Sequence, residues 1–230
     1  MTLDVIKLSK TKLAWSTKKC IIIAVISLVI GLAIFMIAYV SMNKHILLDI
    51  YNQPILSWMV SYRKEQITPI ILAITSIASS AYFSAIVFAI AIFWAVTKRE
   101  LWRPILLIGS IGFCSVVSTI IKSVVENARP LSIYMVRPLE NDYSFPSGHT
   151  LAIVVFSLVI GYLIVSRHSS NFRATIWFIT TIVLTSIIAF SRLYLGYHWL
   201  TDVTASIGLG FIILSLVIFV DRIFINMYKN

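Results

Sequence analysis

The longest uncharged run in the chain decides which solvent it can fold in. From Cys20 to Val40, twenty-one residues pass without a single Asp, Glu, Lys or Arg. At 1.5 Å per helical residue, about 20 residues span the roughly 30 Å of a bilayer's hydrocarbon core. Further apolar stretches run from Ile67 to Val96, Pro104 to about Val125, Thr150 to Val165, Ala174 to Ser191 and Val203 to Val220. The Ile67–Val96 stretch is too long for one crossing and reads as a short helix around Ala73–Ser80 followed by the span itself. Backbone groups in lipid must be satisfied within the segment, so each stretch is expected to be a helix. The fold class is therefore all-α, a polytopic bundle of six transmembrane helices.

Composition closes the other routes. Hydrophobic residues make up 59% and charged residues 12% of the 230, with a mean hydropathy of +0.94. A soluble domain carries roughly 45–50% and about 25% respectively. Disorder, a coiled coil and a secreted disulfide scaffold are excluded. Cys20 and Cys114 both sit inside apolar runs and point to helix packing rather than to a disulfide or a metal. The basic N-terminus could open a cleaved signal peptide, but the apolar core is too long and no A-x-A-like site follows, so an uncleaved anchor is expected.

Lys and Arg are divided unevenly between the loops. With six spans, one side holds Lys7, Lys10, Lys12, Lys18, Lys19, Lys98, Arg99, Arg103, Arg167, Arg173, Arg222 and Lys229. The other side's loops hold Lys44, Arg63, Lys64, Arg129 and Arg137, with Lys122 and Arg192 at span ends. The positive-inside rule puts both termini in the cytoplasm. Trp15, Trp94, Trp102 and Trp177 near one interface, with Trp58 and Trp199 near the other, fit aromatic belts. The net charge of +10 thus follows from topology, and nucleic acid is not an expected partner. Loop 41–66 alternates apolar and polar residues around Trp58 and reads as a helix lying in the interface.

Ionisable groups at membrane depth are functional suspects. Alternating span direction brings Lys122, His149, Arg192, His198 and Asp202 to the same outer face, and Arg129 follows Lys122 there. Three cations against the lone Asp202 leave a surplus of about two charges, complementary to a phosphate dianion. Ser147 and Gly148 precede a helix start, where free N–H groups make an anion site and glycine allows close backbone approach. His198 and Asp202, four apart, share a helix face. Asp202 would fix one imidazole nitrogen and free the other as a nucleophile, while His149 could protonate a leaving oxygen.

Lys122 with Arg129-Pro130 forms K-x6-R-P, residues 146–149 read Pro-Ser-Gly-His, and Ser191-Arg192 with His198 and Asp202 form S-R-x5-H-x3-D. Together they resemble the three-part signature of the type-2 phosphatidic acid phosphatase superfamily of integral-membrane lipid phosphatases. The resemblance implies His198 as a phosphohistidine-forming nucleophile, Asp202 as its orienter and His149 as general acid. It implies Lys122, Arg129, Ser147, Gly148 and Arg192 as phosphate ligands, and no metal or other cofactor. The implied organisation is a basic cytoplasmic tail, 1–19, and a membrane phosphatase domain, 20–230, with the signature in 122–202. Outward placement favours undecaprenyl diphosphate in a bacterial inner membrane. Phosphatidylglycerophosphate, phosphatidate and lipid A phosphates are the alternatives, as is transfer to a second lipid. A binder or transporter of anionic lipids is the rival outside enzymes, and it needs no nucleophile. The bilayer and a lipid phosphate are the expected partners, with no obligate protein partner.

Residues outside the signature keep plainer expectations. Glu126 is expected to pair with Lys122 four residues before it. His45, His168 and Arg137 read as loop residues. Tyr143 and Phe145 are candidates for the mouth of the pocket. Two histidines and an aspartate could suggest zinc, but three neighbouring cations would repel a divalent ion.

Overall fold

The computed structural model describes residues 15–167 and 170–227, so Lys7, Lys10, Lys12, His168 and Lys229 fall outside the described part. Eight α-helices follow in order: α1 Thr17–Lys44, α2 Asn52–Ser61, α3 Thr68–Ile77, α4 Ser80–Lys98, α5 Trp102–Val125, α6 Gly148–Val165, α7 Asn171–Tyr194 and α8 Leu200–Met227. Six of them, all but α2 and α3, are long and apolar enough to cross a membrane. Short 3-10 turns at Asp49–Tyr51 and Ser132–Tyr134 punctuate two connections at one end of the bundle.

Helix ends follow local chemistry. Ser16 caps α1 by accepting from the Lys19 N–H at 3.2 Å, and Ser170 caps α7 from the Arg173 N–H at 3.4 Å. The short helix in the Ile67–Val96 stretch begins earlier than expected, because Pro69 in its first turn favours a start at Thr68. Ser79 is extended and separates it from α4. Loop 41–66 contains α2, whose Leu56 and Met59 are buried while Trp58 and Tyr62 stand out.

Burial is unequal, and the inequality places the site. Of the most apolar window of each span, 61% is buried in α6 and in α8, against 11% in α7 and 22% in α1. Helix α6 is the hub and packs on α5, α7 and α8, while α1 lies along α8. The α1–α8 contact is close enough to require glycine. A Cβ on Gly31 would lie 2.7 Å from the Gly208 carbonyl oxygen, and one on Gly208 would lie 2.6 Å from the Phe35 nitrogen. Cys114 packs in the main apolar core with Leu107, Leu151, Val155 and Ile213. Both cysteines are buried and free. The two most buried helices are thus the ones carrying Gly148-His149 and Asp202.

Candidate functional site

Four helix ends and two connections meet at one end of the bundle. Lys122 is in the last turn of α5, Arg129 lies in the connection 126–147, Ser147 is the N-cap of α6, Arg192 is in the last turn of α7, and His198 lies just before α8. The motifs that sequence reading singled out are therefore neighbours.

The His198 ring is held from both sides. Its Nδ1 lies 3.2 Å from Asp202 Oδ2, and its Nε2 lies 3.2 Å from Arg129 Nη1. Arg129 Nη1 can only donate, so Nε2 keeps the lone pair and Nδ1 holds the proton, which it donates to Asp202. Asp202 is fully buried and also accepts from the Trp199 N–H at 2.9 Å, Asn127 Nδ2 at 3.3 Å and Ser144 Oγ at 3.4 Å. Four donors fix its orientation. Burial pushes the His198 imidazole well below its ordinary pKa, and the charges of Arg192, Arg129, Lys122 and His149 push it the same way. His198 is neutral at physiological pH, with its free nitrogen toward the cations.

Gly196 shapes the turn that presents His198. Its φ is +74°, and a Cβ there would run into the Tyr134 carbonyl oxygen. The same contact line carries a hydrogen bond from Val136 N–H to the Leu195 carbonyl at 3.0 Å, which docks residues 131–145 against the α7–α8 turn. Gly148 is different. A Cβ there would meet only Ser118 Oγ, at 3.7 Å, so neither packing nor backbone conformation requires glycine. Ser147 Oγ bonds Thr150 Oγ1 at 3.0 Å, and its carbonyl accepts from Ser206 Oγ at 2.9 Å.

The cations have partners that the sequence reading did not foresee. Glu140 pairs with Arg192 and, at 2.8 Å, with Arg129 Nη2. Asp142 pairs with Lys122 Nζ at 2.7 Å and with Arg129 Nη2 at 2.5 Å. Arg192 is almost fully buried, donates to Thr75 Oγ1 of α3 at 3.1 Å, and stands over the Tyr197 ring at 4.5 Å. Burial alone would raise the Glu140 carboxyl, but Arg192 and Arg129 outweigh it and hold the group below the usual carboxylate range. Burial likewise works to raise Asp142, and the hydrogen bonds from Lys122 and Arg129 bring it below that range. Both acids stay ionised.

Three expectations are therefore corrected. Asp202 is not the lone carboxylate: Glu140 and Asp142 also face the three cations and offset two of their charges. Lys122 does not pair with Glu126. Glu126 caps α5 with a left-handed φ of 51°, which turns its side chain off the helix face toward the Tyr143 hydroxyl. Phe145 is not at the mouth but fully buried against Phe35 and Tyr39, with ring centroids 5.9 and 6.2 Å away. Tyr143 is exposed, and its carbonyl accepts from Lys122 Nζ. Arg137 is exposed, and exposed His45 pairs with Asp49 at 2.9 Å. A usable signal did exist for Glu140 and Asp142. The chain has only nine acids, and two fall in the connection between the first two cationic motifs and Pro146-Ser147-Gly148-His149.

Among the described residues, no group of three His, Cys, Asp or Glu side chains is placed to hold a metal ion. Chemically, the arrangement brings together a neutral imidazole, a second imidazole and three cations that hold carboxylates.

Known proteins resemble this chain in sequence and in fold. A family model described as the PAP2 superfamily matches residues 103–223. The chain is 29% identical over 121 residues to phosphatidylglycerophosphatase B of Bacillus subtilis (52% of this chain, 58% of that protein). It is 31% identical over 154 residues to lipid phosphate phosphatase delta of Arabidopsis thaliana (62% and 36%) and 32% identical over 117 residues to undecaprenyl-diphosphatase of Sulfolobus acidocaldarius (49% and 52%). The chain thus spans from about a third to somewhat over half the length of these relatives. The fold resembles the crystal structure of a transmembrane PAP2-type phosphatidylglycerolphosphate phosphatase from Bacillus subtilis, with a TM-score of 0.70 at 23% identity over 84% of this chain and 96% of that one. Aquifex aeolicus LpxE gives a TM-score of 0.55 at 20% identity over 73% and 94%.

Proposed function

The chain belongs to the PAP2 superfamily, and from that premise we propose that it is a membrane lipid phosphatase working through a phosphohistidine on His198. The observation that carries the reading is the His198 ring, neutral and held between Asp202 and the cationic cluster. His198 Nε2 attacks phosphorus, and the bond from phosphorus to the leaving oxygen breaks. His149 gives that oxygen a proton. Water then attacks the phosphohistidine, His149 takes the water's proton, and the phosphorus–nitrogen bond breaks to release phosphate. Asp202 steadies the Nδ1 proton throughout, and Lys122, Arg129 and Arg192 balance charge on the phosphoryl oxygens, with the N–H groups of Gly148 and His149 at the start of α6.

The substrate is a lipid whose phosphate lies in the outer leaflet, because the site end is the side with fewer Lys and Arg and so faces away from the cytoplasm. That placement favours undecaprenyl diphosphate in a bacterial inner membrane. The reaction needs no metal, since three guanidinium and ammonium groups do the work a divalent ion would do.

The test is phosphate release from polyprenyl diphosphates, glycerophospholipid monophosphates and lipid A phosphates, with EDTA throughout. His198→Ala is expected to abolish turnover while lipid binding survives, and His149→Ala to leave an acid-labile phosphoenzyme after brief exposure to substrate. Normal turnover by His198→Ala would refute the mechanism. Loss of wild-type activity in EDTA would refute metal independence.

A further inference from the structure

Asp142 occupies the place that the reading above gives to a phosphoryl group. Its Oδ2 takes Lys122 Nζ at 2.7 Å, its Oδ1 takes Arg129 Nη2 at 2.5 Å, and its carbonyl accepts from Arg129 Nε at 2.7 Å. One side chain thus spans two of the three cations. It is also the outermost member of the cluster: the Asp142 side chain is 60% exposed, against 16% for Lys122, 6% for Arg129 and 26% for Glu140. We propose that Asp142 is a displaceable internal anion that selects for phosphoryl groups carrying two negative charges, by holding Lys122 and Arg129 until such a group takes its place.

The charge count explains the selection. Lys122, Arg129 and Arg192 share Glu140 and Asp142, so Asp142 offsets one positive charge that returns when it leaves. A phosphodiester brings one negative charge, which only returns what leaves with Asp142. A phosphomonoester or terminal diphosphate brings about two and adds oxygens that fit a guanidinium fork. Exposed ion pairs are weak, so Asp142 yields readily, whereas Glu140 is more enclosed and remains on buried Arg192. With Asp142 seated, Arg129 also points Nη1 at His198 Nε2 from 3.2 Å and covers the nucleophile's lone pair. An abundant diester lipid would therefore find the cations taken and the imidazole covered.

This inference rests on the phosphatase reading for its setting, but it can be measured without turnover. Binding of inorganic phosphate and of diethyl phosphate to the full-length protein in detergent would be followed by ³¹P line broadening in wild type, Asp142→Asn and Asp142→Glu. Wild type is expected to bind phosphate and not diethyl phosphate. Asp142→Asn is expected to bind phosphate roughly three- to tenfold more tightly and to accept diethyl phosphate in competition. Asp142→Glu is expected to restore discrimination. Weaker or unchanged phosphate binding in Asp142→Asn would overturn the proposal, as would diethyl phosphate binding equally to wild type. If phosphate binding behaves as stated while no lipid is hydrolysed by wild type, the lipid phosphatase reading fails and the Asp142 filter stands. On an active lipid substrate, Asp142→Asn is expected to lower KM by a similar factor with kcat held within about twofold, a split that simple loss of structure would not produce.

Discussion

Buried charge lies at both ends of the helices, and the two ends hold it differently. Away from the site, Asp221 accepts from Trp102 Nε1 at 2.8 Å and from the Tyr162 hydroxyl at 2.5 Å, and that hydroxyl accepts from Arg222 at 3.2 Å. Glu100 pairs with Arg103 and Arg167 and accepts from Trp94 Nε1 at 3.3 Å, while Arg103 also donates to the Leu163 carbonyl. Both acids there are buried, and their donors sit on the ends of α4, α5, α6 and α8 or in the short turn after α6. At the site end, Glu140 and Asp142 ride on a long connection, and one of them faces solvent. Depth in a membrane and ionisable chemistry are common to both clusters. What separates them is enclosure. One cluster is closed in by partners on helix ends, whereas the other has an exposed acid on a connection, beside an imidazole whose Nε2 faces Arg129.

This contrast can be broken by experiment, and the largest effect should come from the site. Asp202→Asn removes the acceptor that holds the Nδ1 proton, and kcat is expected to fall about 10³- to 10⁴-fold with little change in lipid binding. A loss under tenfold would mean that the imidazole is oriented by something else. At the opposite end, Asp221→Ala strands Arg222, Tyr162 and Trp102, and breaking such a buried set costs about 3–5 kcal/mol. Denaturation in detergent should show that loss, while the folded fraction keeps its specific activity to within a few-fold. If Asp221→Ala were as stable as wild type yet inactive, the two ends would not differ as described.

A smaller effect comes from the α7–α8 turn at the site end. Gly196→Ala forces a Cβ against the Tyr134 carbonyl at a left-handed φ, and about 1–3 kcal/mol of stability should go with it. Because that turn precedes His198, activity should fall beyond the stability loss. The smallest effect sharpens the electrostatics. An ordinary imidazole titrates near 6.5, but His198 is held well below that, so the folded protein keeps it neutral where the unfolded chain takes up a proton. Its contribution therefore favours folding above about pH 6.5 and is lost as pH falls below it. A ¹⁵N spectrum of the histidines at pH 5.5 should show His198 still neutral, and a protonated ring there would contradict the buried, cation-flanked position.

Much of this is legible in the sequence alone. The six spans follow from hydropathy and length, because lipid leaves the backbone no alternative to helix. The convergence of Lys122, His149, Arg192, His198 and Asp202 follows from alternating span direction, which needs no knowledge of packing. The Lys122–Glu126 pairing was misread because an i,i+4 rule assumes that both residues are helical, and Glu126 is the cap. The acidic set at Glu140 and Asp142 was missed because connection 126–147 has no period from which a side-chain direction can be read. Arg103 was counted only as a loop charge, since nothing local shows that it is almost wholly buried or that Glu100 lies beside it.

The order of residues thus determined the class of fold, the gathering of the signature residues at one end of the bundle and the hydrogen-bonded His198–Asp202 pair, all consequences of helical repeat and span length. Tertiary structure alone decided which acids meet which cations, where Gly31 and Gly208 press two helices together, and which charges are enclosed and which stand exposed. Those outcomes depend on distances between segments far apart in the chain. Coulombic attraction and desolvation act through space, and no spacing along the sequence records them.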